Sequence, residues 1–297
     1  MTGTRKNLTR LFFLQRDARK VLSTLGPGAS PRPVAQIGLL GAGVMGGGIA
    51  RVAAGSGITV RMKDVDLKQL GLGLCHARKV FEKEAILQRQ TAREVEGWMA
   101  RILPASTYAG FERLPVVLEA VVEDLDVKRK VLEEIEEISR GGCLFASNTS
   151  SLRIDLIAGG CRFPENVVGM HFFNPVDRMP LAEIVRGSAT SDEAVATIVE
   201  LARRFHKTPV VVNDGPGFLV NRILMACLNE ALFLLKEGMP IELADRAMRR
   251  FGMPAGPFEL LDQVGIDVAH KVSGILGDAF GERMRPPRVL EAACGEK

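Results

Sequence analysis

Short apolar runs alternate with longer segments of helical apolar spacing between residues 34 and 213. This alternation predicts βαβ units around a parallel sheet. The runs that we expect to form strands are 34–40, 58–64, 115–122, 143–147, 167–173, 181–185 and 208–213. Helices are expected from about Val44, over about 66–103, after 122 and at about 192–204. The pattern therefore predicts an α/β fold, a Rossmann-like, mostly parallel sheet with helices on both faces.

The pattern changes after NDGPG at 213–217, where the apolar positions begin to follow helical spacing alone. Pro216 stands where a first-turn proline belongs, and Gly238 is expected to end the long helix that follows. Only helical segments and turns are predicted from there to residue 297. We expect a connector helix and linker over 1–33, a Rossmann domain over 34–213 and a smaller all-α domain over 214–297.

The N-terminal segment is basic and poor in acids, with Asp17 as the one acid among six basic side chains before residue 21. Such a start is typical of a mitochondrial presequence. It is also typical of an amphipathic helix, since apolar residues recur near helical spacing from Leu8 to Leu22. The sequence GPGASPRP at 26–33 breaks any helix and predicts a linker.

Composition excludes several classes of protein. The 297 residues suggest about two domains, and 46% hydrophobic with 25% charged residues is typical of globular chains. A net charge of +4 does not favour a nucleic-acid partner. Five well separated cysteines without a CxxC pair favour a reducing, intracellular compartment and neither a zinc site nor a secreted disulfide framework. No apolar stretch approaches the ~20 residues of a membrane span.

Gly41, Gly43 and Gly46 form a GxGxxG motif between a predicted strand and a predicted helix. In a dinucleotide site these glycines allow the tight turn, the close approach of a pyrophosphate and the packing of helix on sheet. The N–H groups near Met45 would then meet the phosphates. An ordinary glycine-rich turn is the alternative. Asp64 ends the second strand and can accept the ribose hydroxyls, which favours NAD over NADP.

Three polar features belong to later strands: SNTSS at 147–151 follows one strand, HFFNP at 171–175 ends another, and Glu183 lies in a third. Each alone has an ordinary structural explanation, as a helix cap, a hydrogen-bonded histidine and a paired acid. Beside a dinucleotide site they predict alcohol oxidation. A histidine can take the hydroxyl proton, a carboxylate can orient the imidazole, and serine and asparagine can polarise the oxygen.

Six ordered motifs carry a resemblance to a known family: GAGVMGGGIA, EAVVEDLDVK, FASNTSSL, GMHFFNPV, PGFLVNRIL and GPFELLDQVGID. The chain resembles L-3-hydroxyacyl-CoA dehydrogenases over about 34–285, specifically the dehydrogenase part of the multifunctional fatty acid oxidation α-subunit. The resemblance implies that His171 is the base, Glu183 its partner, and Asn221 a substrate contact. It places Ser150 and Asn174 in the reacting centre, beside both substrate and cofactor. The further NAD-binding positions that it implies are Gly41, Gly43, Met45, Gly46, Asp64, Val121, Val122, Glu123 and Lys128.

The resemblance also implies what surrounds this chain. NLTRLFFLQRDARK resembles the helix that follows the enoyl-CoA hydratase part of fused enzymes, and the end at EAACGEK is shorter than in relatives. We therefore expect a piece of a larger β-oxidation enzyme, with a truncated helical domain that serves substrate binding and dimerisation. Its expected partners are acyl-CoA and either another copy or a fused hydratase and second helical repeat. The expected location is the cytoplasm, or the mitochondrial matrix in a eukaryote. Two alternatives remain, a dehydrogenase of a free 3-hydroxyacid and a non-catalytic nucleotide-binding fragment.

Overall fold

The computed structural model describes residues 3–18, 26 and 29–295. Contacts within the chain separate it into a first unit, Met1–Asp214, and a second unit, Gly215–Lys297. Each unit buries its own hydrophobic cluster. The predicted positions Arg19 to Leu22 of the N-terminal segment, and residues 27–28 of the linker, lie outside the described residues.

Eight strands of the first unit form one sheet. They are β1 (Gln36–Leu40), β2 (Thr59–Lys63), β3 (Ile102–Ala105), β4 (Val116–Glu119), β5 (Leu144–Ser147), β6 (Val167–Phe172), β7 (Leu181–Arg186) and β8 (Thr208–Asn213). Their order is β3-β2-β1-β4-β5-β6-β7-β8, and every neighbouring pair is parallel except β6 with β7. The predicted fold class, a mostly parallel sheet with helices followed by an all-α region, is confirmed.

The helices of the first unit are α1 (Gly3–Ala18), α2 (Val44–Gly55), α3 (Leu67–Gln88), α4 (Ala92–Met99), α5 (Leu125–Ser139), α6 (Ile154–Ile157) and α7 (Asp192–Arg204). The second unit contains α8 (Val220–Lys236), α9 (Ile241–Phe251), α10 (Pro257–Val264), α11 (Ile266–Phe280) and α12 (Arg288–Gly295). In the first unit, α2, α3 and α7 share one core with the sheet. That core contains Ile49, Phe81 and Ile198, each fully buried.

Two local predictions were wrong. The segment expected to be helical over 66–103 ends as the edge strand β3, whose four residues are too few to show a period and include Pro104. Proline is tolerated there because β3 lies at the edge of the sheet. Pro216 is not in the first turn of α8, which begins only at Val220; it lies in the preceding turn, where Phe218 has φ of +47°.

The segment predicted to be a linker is anchored to the first unit. The amide of Gly26 donates to Asp192, and the amide of Arg32 donates to the Thr197 hydroxyl at 2.9 Å. The Arg32 guanidinium also contacts Glu193 at 3.0 Å. The described residues of this segment therefore pack along α7 instead of forming a free tether.

Candidate active site

The glycine motif forms the turn between β1 and α2. Gly41 has φ of +93°, and a Cβ there would lie 2.4 Å from the carbonyl oxygen of Ala120. A Cβ on Gly46 would lie 2.0 Å from the carbonyl oxygen of Gly41. Both glycines are therefore required by the fold itself. Gly43 is exposed, and a Cβ there would meet no atom within 4 Å.

The surroundings of Gly43 fit the pyrophosphate of a dinucleotide. Gly43 caps the N-terminus of α2, where N–H groups and the helix dipole favour a negative charge. The open space at its α-carbon is what a phosphate approaching the backbone requires. Met45 is half-buried in the first turn of α2. Val121 and the exposed Val122 follow the neighbouring strand β4.

Asp64 follows β2 and supports the same turn. One carboxylate oxygen accepts from the amide of Ala42 at 2.7 Å, and the other accepts from the amide of Asp66 at 3.0 Å. An ionised carboxylate has about four acceptor positions, so these two bonds leave capacity for the hydroxyls of a ribose. Asp64 thus fits the predicted ribose contact and also fixes the shape of the glycine turn.

His171 and Glu183 form a buried pair on adjacent strands. They are direct cross-strand neighbours in the antiparallel pairing of β6 with β7. His171 Nδ1 lies 2.7 Å from Glu183 Oε2, and the two residues are 5% and 0% exposed. Because β6 is parallel to β1, β4 and β5, the carboxyl ends of these strands lie on the same side of the sheet. His171, near the carboxyl end of β6, therefore lies on the same side as the glycine turn that follows β1. The structure brings together the two residues that the sequence predicted to act as base and partner.

Glu123 organises the turn that contains Ser150. Its Oε1 accepts from the hydroxyl of Thr149 at 2.7 Å and from the amides of Ser150 and Ser151 at 3.0 and 3.1 Å. Burial opposes the charged form of Glu123, but the Lys128 ammonium and these hydrogen bonds outweigh burial and lower the pKa of the carboxyl. Glu123 therefore acts as a charged acceptor that fixes Ser150.

Lys128 lies beneath this turn and is 1% exposed. Its Nζ is 2.6 Å from Glu119 and 3.3 Å from Glu123. Glu119 is fully buried and was not singled out from the sequence. The family resemblance placed Glu123 and Lys128 among the cofactor contacts, whereas in this structure their charged ends are engaged by other protein groups. The apolar run that contains Glu119 gave no sign of a buried network.

The two predicted asparagines lie in different units. Asn174 is exposed and follows β6 through a cis bond to Pro175. Asn221 is in the first turn of α8 in the second unit. Sequence reasoning also missed Asn148, whose side-chain oxygen accepts from the amide of Phe172 at 2.9 Å. This bond joins the serine-rich turn after β5 to the end of β6, next to His171.

Within the described ranges, no group of three or more His, Cys, Asp or Glu side chains is arranged to hold a metal ion. No helix in those ranges is long and apolar enough to cross a membrane.

Comparison with known proteins agrees with this site. Residues 36–215 match the model of the 3-hydroxyacyl-CoA dehydrogenase NAD-binding domain, and 217–297 match that of the C-terminal domain. A fatty acid oxidation complex subunit alpha from Idiomarina loihiensis is 44% identical over 98% of this chain and 41% of its own length. The chain thus spans about two fifths of such curated relatives.

Two solved structures match this chain over nearly their whole length. FadB2 of M. tuberculosis is 31% identical, with a TM-score of 0.85 and coverage of 89% of this chain and 94% of that one. The (S)-3-hydroxybutyryl-CoA dehydrogenase PaaH1 of Ralstonia eutropha is 34% identical, with a TM-score of 0.84 and coverage of 89% and 95%. The predicted family and the predicted cofactor, NAD, are confirmed. The chain belongs to the 3-hydroxyacyl-CoA dehydrogenase family and contains both its NAD-binding and its C-terminal domain.

Proposed function

We propose that this chain oxidises L-3-hydroxyacyl-CoA to 3-oxoacyl-CoA, as a step of fatty acid β-oxidation, with His171 as the general base. The observation that carries the proposal is the buried His171–Glu183 pair. Its two side chains are 2.7 Å apart and lie at the carboxyl end of β6, on the side of the sheet that also bears the glycine turn. Oxidation of an alcohol needs a base at the hydroxyl and an acceptor for the hydride. When bound, NAD accepts that hydride from the carbon bearing the hydroxyl.

His171 takes the hydroxyl proton in this mechanism. Since Glu183 contacts Nδ1, the proton is taken by Nε2, the other ring nitrogen. Glu183 fixes the orientation and tautomer of the ring and stabilises the imidazolium that forms. Both residues are shielded from water, which strengthens this electrostatic effect. The tilted ring of Phe173, with its centroid 4.5 Å from that of His171, limits the movement of the imidazole.

Ser150 and Asn174 orient the substrate oxygen and the cofactor in this proposal. The amide and the hydroxyl of Ser150 both donate to Glu123, so the Ser150 side chain is already held in position before substrate binds. The residues that would hold the cofactor are those of the glycine turn, Met45, Asp64 and the segment from Val121 to Val122. Asn221 contributes a substrate contact from the helical domain.

The larger context is also proposed from the relatives. Since they extend well beyond this chain, we propose that it acts as the dehydrogenase part of a fused enzyme, packed against a hydratase part, a second helical repeat or another copy. We place the reaction in the cytoplasm, or in the mitochondrial matrix of a eukaryote, in keeping with the free cysteines.

Initial rates of NADH formation test this function. The substrates are L- and D-3-hydroxybutyryl-CoA, free L-3-hydroxybutyrate, and the ten- and sixteen-carbon L-3-hydroxyacyl-CoA esters. We expect turnover of L-CoA esters and negligible rates with the D ester and the free acid. A preference for the free acid would instead favour a hydroxyacid dehydrogenase. NADH binding without turnover of any substrate would favour a non-catalytic nucleotide-binding fragment.

A further inference from the structure

A carboxylate with no solvent exposure lies directly under the proposed site. Glu119 is the last residue of β4 and is paired in register with Leu40 of β1 and with Ser147 of β5. Its Oε1 accepts from the amide of Val121 at 2.8 Å and from Lys128 Nζ at 2.6 Å. Its Oε2 accepts from the Ser147 hydroxyl at 2.6 Å. Three donors therefore hold one buried charge at the carboxyl end of the central strands.

The partners of Glu119 lead to both halves of the site. Val121 begins the segment that the family resemblance assigns to the cofactor. Lys128 lies between two carboxylates, 2.6 Å from Glu119 and 3.3 Å from Glu123. Glu123 then accepts from the amide and the hydroxyl of Ser150, at 3.0 and 3.3 Å. A continuous series of charged hydrogen bonds thus runs from the end of β4 to the proposed substrate serine.

We infer that Glu119 is a positioning residue: through Lys128 it fixes Glu123, and so sets the place of Ser150, while its bond to Val121 fixes the cofactor segment. This inference deepens the proposed function and rests on it for the role of Ser150. Because Glu119 is 0% exposed, it touches neither substrate nor cofactor, and any effect on the reaction must pass through these neighbours.

The charges explain why an amide should not replace this carboxylate. One ammonium is shared by two acids, the fully buried Glu119 and the partly exposed Glu123, so its position depends on attraction from both sides. Glu119→Gln keeps the shape of the side chain but removes one of the two attracting charges. The ammonium is then drawn toward Glu123, which competes with the bonds that Glu123 makes to the serine turn. Removing one partner of a buried ion pair is also costly because the other charge is left without compensation.

Amide hydrogen exchange on the apo protein tests the positioning without any need for turnover. The N–H groups of Ser150 and Ser151 both donate to Glu123, and neither touches Glu119. In Glu119→Gln we expect these two amides to exchange about tenfold faster or more, the order expected when a hydrogen bond to a charged group is lost. The matched control is Glu134→Gln on α5, the helix that carries Lys128, since Glu134 accepts from the Tyr108 hydroxyl and has no contact with the network in the described residues.

Lys128→Met gives an independent second variant, and the same acceleration is expected there because the link itself is removed. If Glu119→Gln does not fold, hydrogen exchange in Lys128→Met tests the inference by itself. Unchanged exchange at Ser150 and Ser151 in a folded Lys128→Met or Glu119→Gln protein overturns the inference. Equal acceleration in the Glu134→Gln control also overturns it, because the effect is then a general loosening of the fold.

Kinetics distinguish positioning from a purely structural effect. Glu119→Gln should lower kcat by between about tenfold and a hundredfold, as a misplacement of about 1 Å does. In a Ser150→Ala background the same change should lower kcat by a clearly smaller factor than it does with Ser150 present, since the path through Ser150 is gone and only the path through Val121 to the cofactor segment remains. Fully additive losses contradict the inference. A wild-type chain that does not turn over hydroxyacyl-CoA contradicts the proposed function instead, and the exchange data still decide the positioning.

Discussion

Gly43→Ala is expected to weaken dinucleotide binding while the apo fold survives. The added Cβ meets no atom within 4 Å, and the backbone at φ −65° and ψ −168° is extended and open to alanine. Alanine lowers the entropy of the unfolded chain, which stabilises the fold by roughly 0.4–1 kcal/mol. Alanine is also a poorer N-cap than glycine, by roughly 0.5–1.5 kcal/mol. The two effects nearly cancel, so Tm should move by no more than about 4 °C.

The same methyl group occupies the space through which a pyrophosphate reaches the N-terminus of α2. Steric crowding of this kind costs about 1–3 kcal/mol. The Kd for NADH should therefore rise roughly 5- to 150-fold, because each 1.4 kcal/mol is about a factor of ten.

Thermal unfolding and an NADH fluorescence titration measure the two effects on the same samples. Gly46→Ala is the matched control, because its Cβ would lie 2.0 Å from the carbonyl oxygen of Gly41. We expect Gly46→Ala to lose both stability and binding. A Gly43→Ala protein that binds NADH within about twofold of wild type would refute a pyrophosphate site at this turn.

Three further outcomes follow from the site and the core. Asp64→Ala should weaken the binding of NAD and reduce the preference for NAD over NADP, as measured by the ratio of the two Kd values. Equal affinities of the wild-type protein for NAD and NADP would contradict the assignment of Asp64 as the ribose contact. Glu123→Gln should lower the free energy of unfolding most at neutral pH. The lowered pKa of Glu123 means that its ionised form stabilises the fold above the ordinary pKa of 4.5, and this contribution is lost as pH falls through the lowered pKa. Urea unfolding of both proteins at pH 7 and pH 3 should therefore give a smaller difference at pH 3. Thiol titration of the native protein should label the exposed Cys75 well before Cys143, whose pKa burial raises to about 12.

The sequence predicted those features whose signal is local. His171 lies near the end of one apolar strand and Glu183 lies within the next, and their pairing follows once those strands are neighbours. Glu119 was missed because it interrupts an apolar run by a single acid, and its partners are nine and twenty-eight residues away. A buried network at Glu119 becomes visible only in the tertiary structure, where Lys128 from α5 and Ser147 from β5 contact its carboxylate.

The strand β3 was missed for a different reason. Four residues, one of them Pro104, cannot display the alternation from which a strand is predicted. Pairing with β2 at the sheet edge makes this segment a strand, and such pairing is a property of the tertiary structure. Local pattern thus predicted the long elements and the paired site residues, and tertiary contacts determined the rest.

The role of His171 is tested most directly by comparing kcat and NADH affinity in His171→Gln and in the exposed control His206→Gln. With L-3-hydroxybutyryl-CoA and NAD, we expect His171→Gln to lower kcat by about 10²- to 10⁴-fold, the usual contribution of a general base. NADH affinity should stay near wild type, and the control should retain both properties. A loss of less than about threefold in kcat for His171→Gln would contradict the assignment of His171 as the base.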